Sequence, residues 1–309
     1  MRPCEFGSSG VQLSRVGLGG YWLGADDPGR AFEILSSSRE AGVNWVDTAE
    51  AYFDGANETN LGIALRRIPE MSVASKLWPR ISRADGEGVR RACEASLRRL
   101  GRDVLDVYFL HEPAADVPLE DTWIAMTALV EDGLVRAIGL SNFDITNVRR
   151  AHALRPVDVV QDGLSLIDNL GGLGHFAACN DLGIAGVVYE PLANGLLTGR
   201  FHAGSDLTEQ REWAAIFDRL FAPGQFERSL DVVDRLRALS DQWGHSLSQL
   251  SIAWCLHQGG VTSVLAGTTS EVHARSNAAA QAVVLSSDQL AVLDALIPLG
   301  PSFAEPRNR

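Results

Sequence analysis

A chain of 309 residues with 46% hydrophobic content holds more apolar material than one small core needs, and it suits a single α/β barrel spanning 1–309, a fold that uses about 250 residues or more. A formal net charge of -12, with Lys and Arg scattered along the chain, argues against a nucleic-acid surface, which needs clustered cations. The cysteines Cys4, Cys93, Cys179 and Cys255 show no metal-like spacing and fit a reducing cytoplasm, and no apolar run approaches the roughly 20 residues that cross a bilayer.

In chain order, Cys4 to Phe6, the Gly7 to Gly10 turn and Val11 to Leu13 read as a hairpin within 1–13, placed to plug one barrel end. Strand-like runs follow at Arg15 to Leu18 and Val43 to Val46, with a helical pattern from Asp27 to Ala41 between them. Helices are expected at Glu58 to Arg67, Gly88 to Leu100, Leu119 to Asp132, Thr146 to Leu154 and Gly174 to Leu182, alternating with strands at 72–75, 104–110, 135–140, 157–160 and 184–188. Such βα alternation implies a parallel sheet, and the nearly continuous apolar strands imply cover on both faces. The glycine-marked stretch 192–226 is too long for an ordinary connection and reads as a lid or cofactor-covering loop after the seventh strand. Helices at Glu227 to Gln242 and Leu247 to Leu256, a strand at Val261 to Leu265, two further C-terminal helices and a tail at 302–309 complete the chain.

Seven of the eight barrel strands end at polar or glycine positions: Asp47, Lys76, His111, Ser141-Asn142, Gln161, Tyr189-Glu190 and Gly267. In a (β/α)8 TIM barrel these ends share one rim, where such folds carry their chemistry. Tyr52 follows five residues after Asp47. Together Asp47, Tyr52, Lys76 and His111 are expected to form a proton relay, although each alone has an ordinary role as a cap, core or surface residue. A phenol titrates near pH 10, so Lys76 is expected to favour its anion; lowering Tyr52 by about two units corresponds to about 2.7 kcal/mol. Asp47 would orient Lys76, and His111 would donate toward a carbonyl oxygen. No metal-ligand spacing is present.

These residues resemble the aldo-keto reductase family over almost the whole chain. The block Gly42 to Tyr52 with Asn57-Glu58 and Leu61 to Leu65 is similar to one family signature, and Leu105 to His111 with Gly133 to Phe143 to another. The resemblance implies a TIM barrel, a tetrad of Asp47, Tyr52, Lys76 and His111, and hydride transfer with a nicotinamide cofactor without a Rossmann domain. By the same resemblance, Ser141, Asn142 and Gln161 meet the nicotinamide carboxamide and Tyr189 stacks on its ring, with Gly20 nearby. Leu192, Gly195, Leu196 and Arg200 resemble the segment crossing the pyrophosphate, and Gly267, Thr268 and Thr269 open a helix whose amides point at phosphate. His273 and Asn277 complete the expected cofactor set, and Arg275 is a candidate compensating cation.

Several positions depart from the family pattern. Gly267 to Thr269 and His273 stand where many relatives carry Lys or Arg for a 2'-phosphate, Ser276 where an acid is common, and Glu190 where Ser is usual. NADP(H) is favoured, with NAD(H) left open. Tyr21, Trp22, Phe53, Trp78 and Glu112 are expected to line a substrate pocket suited to a carbonyl compound or sugar. The leading expectation is therefore a carbonyl–alcohol oxidoreductase acting on a small molecule, with no nucleic-acid or membrane partner and oligomeric state open. A nicotinamide-binding regulatory subunit of the channel β type and a Schiff-base aldolase using Lys76 are the alternatives.

Overall fold

The computed structural model describes residues 3–23, 27–168, 172–211 and 220–296. The expected tail at 302–309 and part of the 192–226 segment lie outside them. Eight parallel strands form a closed barrel: β3 (Val16–Gly19), β4 (Trp45–Asp47), β5 (Ser72–Leu77), β6 (Leu105–Leu110), β7 (Val135–Ser141), β8 (Val159–Gly163), β9 (Ala185–Tyr189) and β10 (Val261–Gly267), with β10 closing on β3. Helices α1 (Pro28–Glu40), α2 (Ala56–Leu65), α3 (Gly86–Leu100), α4 (Leu119–Glu131), α5 (Ile145–Leu154) and α6 (Gly172–Asn180) connect successive strands. After β9 come a 3-10 segment (Ala193–Thr198), the short α7 (Thr208–Arg211), then α8 (Gln225–Gln242) and α9 (Leu247–Leu256). Beyond β10 lie α10 (Glu271–Ala279) and α11 (Ser287–Leu296), the two expected C-terminal helices.

Helix starts follow local chemistry. Asp27, Asp85 and Asp144 accept from amides of the first turns of α1, α3 and α5, and Ser246 with Gln249 forms a capping box on α9. Periodicity alone misplaced several starts by one or two residues because it registers the first buried position, whereas the cap fixes the first helical one. The same applies to strands: β5 runs to Leu77 and β8 to Gly163, so Lys76 and Gln161 lie inside strand ends, while His111 stands one residue past β6.

An antiparallel pair, β1 (Cys4–Glu5) and β2 (Gln12–Leu13), precedes the barrel. Phe6 and Leu13, both 0% exposed, join the interior cluster that includes Trp45, Val107, Val159 and Leu265, and Phe6 meets Trp45 edge to face at 5.7 Å. Trp45 opens β4 and Asp47 ends it, so the hairpin fills the end opposite the strand exits. Gly17 admits the Trp45 indole, since a Cβ there would lie 2.3 Å from Cε2.

Strand side chains alternate between faces, and this period places the polar residues. Trp45, Ala74, Val107, Phe109, Ala137, Val159, Ala185 and Val187 fill the interior. Continuing the same parity upward brings Asp47, Lys76, His111, Ser141, Gln161 and Tyr189 to the last interior layer. The barrel core thus ends in a polar floor.

Candidate active site

Lys76 is 1% and Asp47 4% exposed, and their side chains form a short ion pair, Nζ to Oδ2. Lys76 Nζ also donates to the Thr48 carbonyl at 2.9 Å, and Gln161 Nε2 donates to Asp47 Oδ1 at 3.0 Å. Burial works against both charges, pushing the Asp47 carboxyl up and the Lys76 ammonium down. Each ion keeps the other in place.

The Tyr52 ring centroid lies 5.3 Å from Lys76 Nζ and 6.0 Å from the His111 ring centroid. Tyr52 sits at the head of a 3-10 turn, Tyr52–Gly55, in which Phe53 and Asp54 adopt left-handed φ of 53° and 52°. The expected acidification of Tyr52 is corrected here. Desolvation, then the negative charges of Asp47 and Glu190, push the phenol well above its usual value. Burial and the Lys76 charge push His111 down to about 3, leaving the imidazole neutral near pH 7. Its Nδ1 is buried without a hydrogen-bond partner.

Aromatic rings surround this floor. Tyr21 packs on Trp22 and Tyr52, each at 4.8 Å, and on Phe53 at 5.1 Å, while Trp78 stands 6.5 Å from His111. Trp22 and Phe53 are 47% and 40% exposed, giving an open apolar lip. Glu112 is engaged with Arg80 at 2.5 Å, farther out on the rim.

Asn142, at φ 64°, donates from Nδ2 to the His111 carbonyl at 2.9 Å and to Ser141 Oγ at 3.1 Å, and accepts from the Tyr189 hydroxyl at 2.7 Å. Both amide hydrogens are therefore engaged. That leaves the Ser141 hydroxyl and Gln161 Oε1 as a donor and an acceptor on one floor, which match an amide group.

Arg200 lies over Gly195, whose missing Cβ would fall 2.8 Å from its Nε, and Leu196 is fully buried. Asn194, just before Gly195, has a buried Nδ2 without a partner. At α10 the N-cap Ser270 makes no side-chain cap bond, leaving the helix start open to an anion. Gly267, Thr269 and His273 are exposed there, with Asn277 buried beneath. Arg275 does not face this end as a free cation: it pairs with Glu40 at 2.8 Å and Ser37 at 3.1 Å. Arg30 of α1 instead donates to the Thr269 carbonyl at 2.7 Å. Nothing in the local sequence flags Arg30, because it lies 239 positions away and only barrel closure brings it near.

Orphaned polar atoms on His111 and Asn194, a matched donor and acceptor at Ser141 and Gln161, and the cationic Arg200 and Arg30 fit a polyanionic cofactor carrying an amide at one end.

The fold and this rim define a barrel enzyme with a polar floor under an aromatic mouth. The profile of the Aldo/keto reductase family matches residues 15–298, and the chain belongs to that family. It is thereby an oxidoreductase of carbonyl and alcohol groups. A probable aldo-keto reductase 1 from Glycine max is 31% identical over 97% of this chain and 90% of that protein. Among solved structures, a glycerol dehydrogenase from Gluconobacter oxydans superposes with TM-score 0.85 at 24% identity, covering 99% of this chain and 97% of that one. A Klebsiella pneumoniae aldo/keto reductase in complex with NADP and acetate does so with TM-score 0.76 at 27% identity, covering 100% and 98%. Among the described residues no helix is long and apolar enough to cross a membrane.

Proposed function

We propose that this chain is an NADP(H)-dependent enzyme that reduces an aldehyde, ketone or sugar carbonyl, and oxidises the corresponding alcohol, with Tyr52 as general acid and base. The observation that carries this reading is the convergence of Tyr52 and His111, 6.0 Å apart by ring centroid, above the buried Asp47–Lys76 pair. Bound nicotinamide supplies the hydride. Tyr52, held protonated by desolvation and neighbouring carboxylates, donates its hydroxyl proton to the oxygen gaining charge. Neutral His111 donates a second hydrogen bond to that oxygen, and the aromatic lip excludes water. In the alcohol direction the phenol must lose its proton first, so these surroundings favour reduction.

Ser141 and Gln161 would hold the carboxamide, Tyr189 the ring face, Arg200 the pyrophosphate, and the start of α10 with Arg30 the adenosine phosphate. The NADP complex of the Klebsiella relative supports this choice over NAD(H). Lys76 is a poor Schiff-base nucleophile, because it is 1% exposed and donates to both Asp47 and Thr48. The free, mostly buried cysteines support a reducing cytoplasmic setting.

The test is a fluorescence titration with NADPH and NADH, then turnover on small aldehydes, ketones and sugars. Tighter NADPH binding with carbonyl-dependent oxidation is expected; cofactor binding without turnover on any carbonyl would defeat the reading.

A further inference from the structure

The turn that carries Tyr52 is strained, and Asp54 within it faces an open pocket. Two consecutive non-glycine residues, Phe53 and Asp54, hold left-handed φ, a conformation that persists only where the surroundings enforce it. On one side Asp54 faces a solvent-open pocket of about 440 Å³ lined in part by Glu50, Ser82, Arg91 and Arg99.

Hydrogen bonds from β5 and the residues just after it hold the chain immediately before the turn. Past the end of β4 the ladder continues for two rungs, Thr48 N to the Ala74 carbonyl at 2.9 Å and Glu50 N to the Lys76 carbonyl at 3.4 Å. The chain then turns away toward Tyr52, and the next amide, Trp78 N, donates to Glu50 Oε1 at 2.7 Å. Ser82 Oγ donates to Glu50 Oε2 at 3.0 Å, and the side chain is 5% exposed. A carboxylate thus stands in for the backbone carbonyl that the turn withdraws. The far end of the turn is anchored separately: Glu58 accepts from Ser75 Oγ at 2.5 Å and from Arg99 Nε at 2.6 Å. Glu58 fixes α2 to the barrel wall, whereas Glu50 links the Tyr52 turn to Trp78, whose ring stands against His111.

We propose that Glu50 is a positioning residue for the reduction: by holding the Trp78 amide and the Ser82 hydroxyl it sets the separation between the Tyr52 hydroxyl and the Trp78 wall of the substrate pocket. The inference rests on Tyr52 being the acid. Glu50 touches neither substrate nor cofactor and acts through those two groups.

The experiment compares Glu50→Ala, Glu50→Gln, Ser82→Ala and Tyr52→Phe in the full chain, by steady-state carbonyl reduction, NADPH titration and amide exchange at Trp78. In Glu50→Ala, kcat/KM for the carbonyl should fall by about tenfold or more, with NADPH affinity within about twofold and Trp78 exchange faster by about 100-fold. Glu50→Gln keeps an acceptor for the Trp78 amide and should recover kcat/KM to within about threefold of the parent. A Glu50→Ala protein that exchanges Trp78 freely yet turns over normally would overturn the proposal, as would Gln failing to rescue. Should Glu50→Ala not fold, Ser82→Ala decides: a loss of about threefold or more at unchanged NADPH affinity supports the brace, and parental kcat/KM ends it. Turnover surviving in Tyr52→Phe would remove the functional reading itself, whereas an inactive Tyr52→Phe beside a fully active Glu50→Ala removes only the brace.

Discussion

Gln161 and Asp47 are joined by a buried 3.0 Å hydrogen bond, Nε2 to Oδ1, so the side chain proposed to receive a carboxamide also orients the carboxylate that holds Lys76. On the proposed reading, cofactor seating and the proton-handling floor share one residue. Replacing Gln161 with Leu removes a donor from a buried carboxylate, a loss of about 1.5–3 kcal/mol at that site. Both NADPH affinity and kcat should drop, whereas Ser141→Ala should weaken NADPH binding with a smaller change in kcat. Parallel titrations and turnover assays check this; an effect of Gln161→Leu on affinity alone would uncouple the two.

Tyr52→Phe removes the hydroxyl while leaving the ring, and with it the edge contacts to Tyr21 and His111. General acid catalysis is worth about 10²–10⁴ in rate, so kcat should fall by that order while NADPH binding stays near parental. Single-turnover kinetics with a saturating carbonyl measure the chemical step directly.

The Asp47–Lys76 pair makes a stability prediction of its own. Breaking a buried pair from one side costs about 3–5 kcal/mol because the remaining charge has no partner. Asp47→Asn should therefore lower the urea midpoint clearly, and Lys76→Met should do the same. The double variant should regain much of that stability but no activity, since no carboxylate–ammonium pair remains beneath Tyr52. A double variant no more stable than the singles would show that the pair contributes through something other than mutual compensation.

Barrel and floor were legible in the sequence because both rest on period. Apolar runs separated by amphipathic stretches gave the strands, and the parity that buries Trp45, Ala74 and Val159 carries Asp47, Lys76 and Gln161 to the rim. What sequence could not supply was who pairs with whom. The Asp47–Lys76 pair was expected, but not that desolvation with the Asp47 and Glu190 charges would raise the Tyr52 phenol, and Arg275 looked available to a phosphate until α1 brought Glu40 to it. Asn142, expected to meet the carboxamide, also accepts from the Tyr189 hydroxyl, a contact set by closure of β7 toward β9. Arg30 and Glu50 were missed for the same reason: their contacts, Thr269 in one case and Trp78 with Ser82 in the other, are set by closure and not by neighbours in the chain.

Arg30 carries a prediction about cofactor choice. It donates to the Thr269 carbonyl at the open start of α10, while Arg275 is held by Glu40. Losing one charge-assisted bond to a phosphate costs about 1.5–3 kcal/mol. Arg30→Ala should weaken NADPH by about tenfold or more and leave NADH nearly unchanged, narrowing the preference. Equal weakening of both cofactors would assign Arg30 to the shared pyrophosphate or to loop structure instead.

The neutral state of His111 predicts how stability depends on pH. Its folded pKa, about 3, lies below the unfolded value of about 6.5, so above pH 6.5 both states are neutral and the group is silent. As pH falls below 6.5 the unfolded chain takes up a proton that the native imidazole refuses, and the fold weakens by up to about 1.4 kcal/mol per pH unit until the native group also titrates near 3. Asp47 and Glu50 act in the opposite sense, because their raised carboxyl pKa values favour proton uptake by the native state. The prediction therefore concerns the difference between the parent and His111→Gln, which cancels those carboxylates. In urea titrations from pH 7 to pH 4 the parent should lose stability faster than the variant. Parallel curves would mean that the folded imidazole takes up its proton as readily as the unfolded one, and burial would then not be what keeps it neutral.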